Sequence, residues 1–207
     1  MKKRFVLGIC GGSGSGKTYI VNKIVQQLPH GSVSVLDQDS YYKDLSDLPE
    51  NVRELVDFDL PDSIEIDLFA RDLNSLATGY PIQKPQYDFT THTRKHRTVP
   101  VASSPIIIIE GLHVLYHEQL LEVIDHKVYL DVDMDIRFIR RLVRDVRERG
   151  RSVDGVVRQY LDSVRPMDVR YVQPSKEKSH MTITEENFDS MFLGLMELLL
   201  GKLKVII

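Results

Sequence analysis

Gly11-Gly12-Ser13-Gly14-Ser15-Gly16-Lys17-Thr18 has the pattern G-x-x-x-x-G-K-T. The glycines allow a tight backbone turn whose N–H groups point inward at phosphate oxygens. Lys17 offers a cation to the β- and γ-phosphates, and the Thr18 hydroxyl is a ligand for Mg²⁺. The flanks supply the context this reading needs. Phe5-Val6-Leu7-Gly8-Ile9-Cys10 precedes the loop as a short apolar run suited to a buried strand. After it, Ile20, Ile24 and Leu28 fall on one helix face. A helix starting at the loop adds partial positive charge for an anion. A flexible Gly/Ser turn is the plain alternative, and the strand–loop–helix order argues against it.

Working outward, strand patterns appear at Val33-Ser34-Val35-Leu36-Asp37, Ile106-Ile107-Ile108-Ile109, Lys127-Val128-Tyr129-Leu130-Asp131 and Met181-Thr182-Ile183. The isoleucine run is the clearest, since β-branched residues in unbroken sequence suit a strand covered on both faces. Helical periodicity falls between them, over 64–78, 135–149, 153–164 and 185–200. Alternation of this kind predicts an α/β fold of P-loop NTPase type. It is a doubly wound parallel sheet of about five strands with helices on both faces. The stretch 80–100 differs, with Pro81, Pro85 and Pro100 among threonines and basic residues. It reads as a β-hairpin flap outside the sheet. The whole chain, 1–207, is read as one P-loop domain carrying this flap and an Arg-rich lid over 137–155.

With 207 residues, 42% hydrophobic and 28% charged, the chain has enough apolar material for a full core. The net charge of −3 gives no global attraction to nucleic acid or anionic membrane. Cys10, the single cysteine, fits a reducing compartment and reads as a small buried strand residue. Met1-Lys2-Lys3-Arg4 with the apolar run behind it resembles the start of a signal peptide, but the run ends at the glycine loop, short of the usual length. The greasy run 191–207 carries Glu197, Lys202 and Lys204, so a membrane span is not expected. The expected location is the cytoplasm. The apolar face of the last helix, Phe188, Met191, Phe192, Leu195, Leu198 and Leu199, closes either the core or a subunit interface, with the core preferred.

A nucleotide's metal needs a carboxylate at the end of a buried strand, and Glu110, directly after the isoleucines, fits. Ligands of parallel sheets sit beyond the carboxyl ends of strands. Asp39 in Asp37-Gln38-Asp39-Ser40-Tyr41-Tyr42 is thus placed to accept a substrate hydroxyl proton, with Asp37 making the turn. Arg137, Arg140, Arg141, Arg144, Arg147, Arg149 and Arg151 crowd one segment. This segment admits a nucleic-acid patch, a solvated salt-bridged helix, or a lid that brings arginines to a transferred phosphoryl group, and the loop favours the lid. His92/His96 and His113/His117 show i, i+4 spacing without a convincing third ligand for zinc. His92 beside Tyr87 in the flap suggests either a pocket for a planar polar ligand or an exposed hairpin.

Taken together, Gly11 to Thr18, Asp37-Gln38-Asp39-Ser40-Tyr41-Tyr42, Asp57-Phe58-Asp59-Leu60-Pro61-Asp62, Pro85-Gln86-Tyr87-Asp88-Phe89-Thr90-Thr91-His92-Thr93-Arg94, Ile109-Glu110-Gly111 and the arginine segment to Arg151 resemble, in order and spacing, the motifs of uridine–cytidine kinases. The resemblance runs from about residue 4 to Lys176. It implies transfer of the γ-phosphoryl of ATP to the 5′-hydroxyl of uridine or cytidine. Asp39 matches the catalytic base, and Thr18, Asp39 and Glu110 match the Mg²⁺ side. Lys17, Arg144 and Arg149 match phosphate-side cations. Asp59 and Arg141 match the ribose ligands, Tyr87 and His92 the pyrimidine ligands, and Tyr42, Arg151 and Gln159 further nucleoside contacts. It also implies a homo-oligomer, tetramer or dimer, with no nucleic-acid or membrane partner.

The chain departs from that pattern after Pro174-Ser175-Lys176, where a glycine-containing loop is missing. The donor is therefore expected to be ATP or GTP. His113 stands where apolar residues are common, and a surface position on a following helix is expected for it. Two other functions compete. One is a related P-loop kinase of a sugar phosphate or pantothenate. The other is a non-enzymatic nucleotide switch or nucleic-acid binder; Asn22-Lys23-Ile24-Val25 lacks the Asp of a GTPase base-recognition motif.

Overall fold

The structure, a computed structural model, describes residues 4–53 and 55–206. Residues 1–3 of the signal-like start and residue 207 of the C-terminal run lie outside the described residues. Strand β1 (Phe5–Gly11) leads through the glycine loop into α1 (Lys17–Gln27), and β2 (Val33–Asp37) follows. A short α2 (Glu50–Arg53) and α3 (Ile66–Ala77) come before the flap strands β3 (Ile82–Lys84), β4 (Tyr87–Asp88), β5 (Thr93–Arg94) and β6 (Val99–Val101). Then come β7 (Ile106–Gly111), α4 (Glu118–Leu121), β8 (His126–Leu130), α5 (Met134–Arg149), α6 (Val153–Gln159), α7 (Arg165–Met167), β9 (Met181–Ile183) and α8 (Phe188–Ile206).

The main sheet has the order β2-β7-β1-β8-β9, and every pairing is parallel. Strand β1 is central, bonded to β7 and β8 along most of its length. Side chains alternate across the sheet, so the isoleucine run divides. Ile107 and Ile109 pack with Phe69, Leu73 and Leu76 of α3, whereas Ile106 and Ile108 pack with Ile20 and Ile24 of α1 and Leu195 and Leu199 of α8. Two cores, one on each face, are what a doubly wound sheet requires. The apolar face of α8 is thus spent on the core, as its pattern predicted. Cys10 is buried; its thiol donates to the Leu112 carbonyl at 3.1 Å, and burial pushes it up to about 11.

The flap is a nested antiparallel structure. Strands β3 and β6 form its base and β4 and β5 its tip, away from the main sheet. The helix expected over 153–164 is longer and less regular. From α6 the chain passes through a π-helical turn (Tyr160–Val164), α7, a second π-helical turn (Asp168–Val172) and a 3₁₀ stretch ending at Lys178. Widened and tightened turns let the run continue past Pro166 and Pro174, whose missing N–H groups break a regular ladder. The last helix starts at Phe188 rather than 185. Thr184 and Asn187 exchange side-chain-to-backbone bonds of 2.8 and 3.2 Å, which holds a turn before it. Among the described residues no helix is long and apolar enough to cross a membrane.

Candidate active site

The carboxyl ends of β1, β2 and β7 lie side by side, and each delivers one polar group. From β1 comes the glycine loop. Gly14 has φ 82°, and a Cβ there would meet the Arg137 carbonyl oxygen at 2.3 Å, so only glycine fits. Lys17 Nζ donates to the Gly11 and Gly12 carbonyls at 2.8 and 3.2 Å, which holds the ammonium over the loop. From β2 comes the 3₁₀ turn Gln38–Tyr41. Asp37 caps it by accepting from Ser40 N–H and pairs with Lys84 of the flap base. That leaves Asp39 to face the cavity. From β7 comes Glu110, which accepts from Thr18 Oγ at 2.8 Å.

One cavity is lined by Ser13, Gly14, Lys17, Thr18, Asp39, Tyr42, Asp59, Tyr87, His92, Glu110, Arg141, Arg144, Arg149, Arg151 and Gln159. The structure thus brings together all the catalytic, metal and acceptor residues named from sequence with Ser13, Gly14, Lys17 and Thr18 of the loop, whereas Ser15 and Gly16 line a second cavity. Burial pushes the Asp39 carboxyl up; Lys17 acts against this and Asp37 with it. Glu110 is raised likewise by burial, opposed by Lys17 and by the Thr18 bond. Asp59 is pushed up to about 6 by burial, against the Arg141 guanidinium and with Asp57 and Asp39.

The arginine segment divides by helix face. Arg137 turns away from the cavity into a buried two-bond pair with Asp168, at 2.8 and 2.9 Å. Arg140 pairs with Glu185 at a second cavity beside Ser15, Gly16 and Tyr19. Neither lines the first cavity, which within the 137–155 span is met by Arg141, Arg144, Arg149 and Arg151. Arg141, Arg144, Arg149 and Arg151 converge on Asp145, which is fully buried, at 2.8 to 3.6 Å. Arg141 also donates to Ser13 Oγ and, with Arg151, to Gln159 Oε1. Gly150, at φ 64°, ends α5 and lets the chain double back so that Arg151 joins the group.

Opposite the arginines stands an aromatic wall. Phe58 and His92 stack at 4.7 Å with an interplanar angle of 19°, and Tyr42 lies edge-on to Phe58 at 5.4 Å. Phe89 completes the wall against Tyr87 and carries the Arg149 guanidinium over its ring at 5.0 Å. His92 sits at φ 54°, a left-handed conformation unusual for a residue with a Cβ. The Tyr87 hydroxyl is buried with no partner among the described residues.

Several of these parts had no role read from sequence: Phe58 and Phe89, the Asp145 hub, and Ser163, which donates to Asp57 beside Asp59. Asp145, four residues after Arg141, carried a local signal; Ser163 carried none. The surface position expected for His113 is wrong. The residue is 1% exposed, because β7 ends at Gly111 and the chain runs inward with Val114 and Leu115, also buried, before α4 begins.

A glycine loop on a central parallel strand, carboxylates after the ends of β7 and β2 and convergent arginines define a P-loop kinase, a phosphotransferase with an alcohol acceptor and a nucleotide as phosphoryl donor. Residues 6–189 match the phosphoribulokinase / uridine kinase family. The chain is 44% identical to a uridine kinase of Lactobacillus helveticus over 89% of its own length and 88% of the relative's. It is 41% identical to a uridine kinase of Brevibacillus brevis over 96% and 92%. The chain belongs to the phosphoribulokinase / uridine kinase family. Its fold is that of a phosphoribulokinase from Rhodobacter spheroides (TM-score 0.66, 16% identity, 89% of this chain and 71% of that one) and of a possible uridine kinase from Bacillus stearothermophilus (TM-score 0.60, 19% identity, 88% and 90%).

Proposed function

We propose that this protein transfers the γ-phosphoryl group of ATP to the 5′-hydroxyl of uridine or cytidine, giving UMP or CMP and ADP. The observation that carries the reading is one cavity lined by the phosphate loop and Asp39, by the Asp59 carboxylate and the Arg141 guanidinium, and by the stacked Phe58 and His92. A carboxylate opposite a guanidinium holds a ribose diol, and an aromatic slot accepts a planar base. The relatives at 40–44% identity are uridine kinases.

In this reading Asp39 takes the 5′-hydroxyl proton as the new oxygen–phosphorus bond forms. The bond from γ-phosphorus to the bridging oxygen breaks, and the electron pair leaves with ADP. Burial raises the basicity of Asp39, which suits a base for an alcohol. Lys17, Arg144 and Arg149 stabilise the charge spreading over the phosphoryl oxygens. Thr18, Asp39 and Glu110 offer hard oxygen donors on one wall, a set that fits Mg²⁺, which binds through one or two carboxylates plus substrate phosphates. Bound there, the ion would neutralise phosphate charge.

A coupled assay with Mg-ATP and with Mg-GTP, on uridine, cytidine, adenosine, deoxyuridine, pantothenate and ribulose 5-phosphate, tests the reading. Turnover confined to pyrimidine ribonucleosides is expected. Phosphorylation of pantothenate or the sugar phosphate with none of the nucleosides would replace it with the sugar-phosphate or pantothenate alternative.

A further inference from the structure

His113 directly follows Leu112, which lines the cavity, and is three residues beyond Glu110. Its Nε2 is 2.9 Å from the backbone carbonyl oxygen of Asp59. A carbonyl only accepts, so Nε2 carries the proton and Nδ1 is the bare nitrogen. Nδ1 has no partner among the described residues, and burial lowers the ring's pKa to about 4, so the imidazole is neutral. His113 N–H donates to Gln38 Oε1 at 2.8 Å, and Gln38 is buried directly before Asp39. The side chain of Gln38 reaches this point because residue 111 is glycine; a Cβ there would lie 2.4 Å from it. One buried link therefore joins the Asp39 turn, the end of the strand bearing Glu110, and the loop bearing Asp59.

A buried imidazole with one nitrogen unpartnered is a poor filler for a core, since burying a polar atom without a bond is unfavourable. What it supplies that an aliphatic side chain cannot is the donor for the Asp59 carbonyl. The carboxyl of Asp59 lines the cavity, and its own N–H is held by Asp57 Oδ1 at 2.9 Å. The Asp59 backbone is thus gripped on both sides.

We propose that His113 is a positioning residue for the phosphoryl acceptor: its Nε2–H fixes the Asp59 backbone, and so sets where the Asp59 carboxylate meets the ribose diol relative to Asp39. This inference rests on the reading of Asp59 as the ribose ligand. His113→Leu, which keeps the apolar bulk and loses the donor, should raise the uridine KM about tenfold, the usual scale for one lost buried bond. The ATP KM should hold, and the preference for uridine over deoxyuridine should shrink by a similar factor. His113→Gln, whose amide can donate, should recover most of both effects. A folded Leu variant with an unchanged uridine KM and unchanged preference would overturn the proposal. So would parallel losses in the Leu and Gln variants that moved both KM values together.

If the Leu variant does not fold, ¹⁵N NMR of the wild-type imidazole still decides. A proton on Nε2 with Nδ1 bare is expected, and the opposite tautomer would break the bond to Asp59 on which the proposal stands. A wild-type protein that phosphorylated no nucleoside would overturn the acceptor reading and the ribose role with it, whereas the tautomer reports on the Asp59 bond alone.

Discussion

The two ends of the cavity are held by different means. The phosphate end is made of backbone: β1 is bonded on both sides by β7 and β8, the loop follows from it without a break, and Lys17 is tied to loop carbonyls. The acceptor end is made of side chains from separate segments. Flap strands β4 and β5 share two residue pairs, and the wall stands because Tyr42, Phe58, Tyr87, Phe89 and His92 lean on one another. A backbone-built site tolerates changes in its surroundings, whereas a side-chain-built one is only as good as each contact. Substitutions at the first end should therefore act on the chemical step, and those at the second on acceptor KM.

The largest effect should come at the junction. Asp39→Asn keeps the shape and removes the proton acceptor, so kcat should fall by about 10²–10⁴ while ATP binding, measured by calorimetry, stays near wild type. Near-normal turnover would remove Asp39 as the base. Next comes Asp145, which does not line the cavity but pairs with four guanidiniums that do. Asp145→Ala leaves these charges facing one another. A drop in kcat on the order of 10² is expected, by analogy with losing one preorganised charge stabiliser. Stability should fall too, by about 3 kcal/mol, near the low end for a buried pair because three of the arginine heads reach solvent. A thermal melt alongside the kinetics separates the two effects. Unchanged kcat in a destabilised variant would make Asp145 a packing residue only.

The same contrast explains how far the sequence could be read. The phosphate end is contiguous: Gly11 to Thr18 carries its own geometry, and Glu110 and Asp39 follow from where strands end. The sheet was legible because Ile106 to Ile109 and its partners repeat a buried pattern. The acceptor end is contiguous nowhere. Tyr87 and His92 were suggested by the flap, the other residues by the family resemblance alone, and the parts that hold them by neither. Asp145 was visible only as one charge among many, since nothing local distinguishes a fully buried carboxylate from a solvated one. His113 was misread because its environment depends on where the chain goes after Gly111, which no periodicity encodes. The late start of α8 turned on one reciprocal pair, Thr184 with Asn187.

His92 tests the side-chain end directly. Its left-handed backbone and its stack on Phe58 hold the ring at the slot proposed for the base. His92→Ala should raise the nucleoside KM by roughly tenfold to a hundredfold, the range for one lost stacking partner at about 1–3 kcal/mol, and leave the ATP KM within about twofold. Equal rises in both would mean that the flap serves the whole cavity rather than the acceptor.

The smallest effect is the most discriminating, because it has opposite signs in binding and stability. Burial lifts Asp59 to about 6, with Arg141 pulling it down and Asp57 and Asp39 pushing it up. Only the ionised form accepts from a ribose diol on both oxygens, so the nucleoside KM should rise about tenfold between roughly pH 7 and pH 5. The ATP KM, set at the other end, should not follow it. Stability runs the other way. A carboxyl whose folded pKa lies above its unfolded value favours the folded state when protonated. That stabilisation is complete below about pH 4 and is lost as pH rises through about 6. At neutral pH the charge on Asp59 therefore opposes folding, by an amount on the order of 3 kcal/mol. Asp59→Asn should raise the melting temperature at pH 7 and at the same time weaken nucleoside binding. A variant that lost both stability and affinity would show that Asp59 holds the loop together, and the acceptor end would then be as structural as the phosphate end.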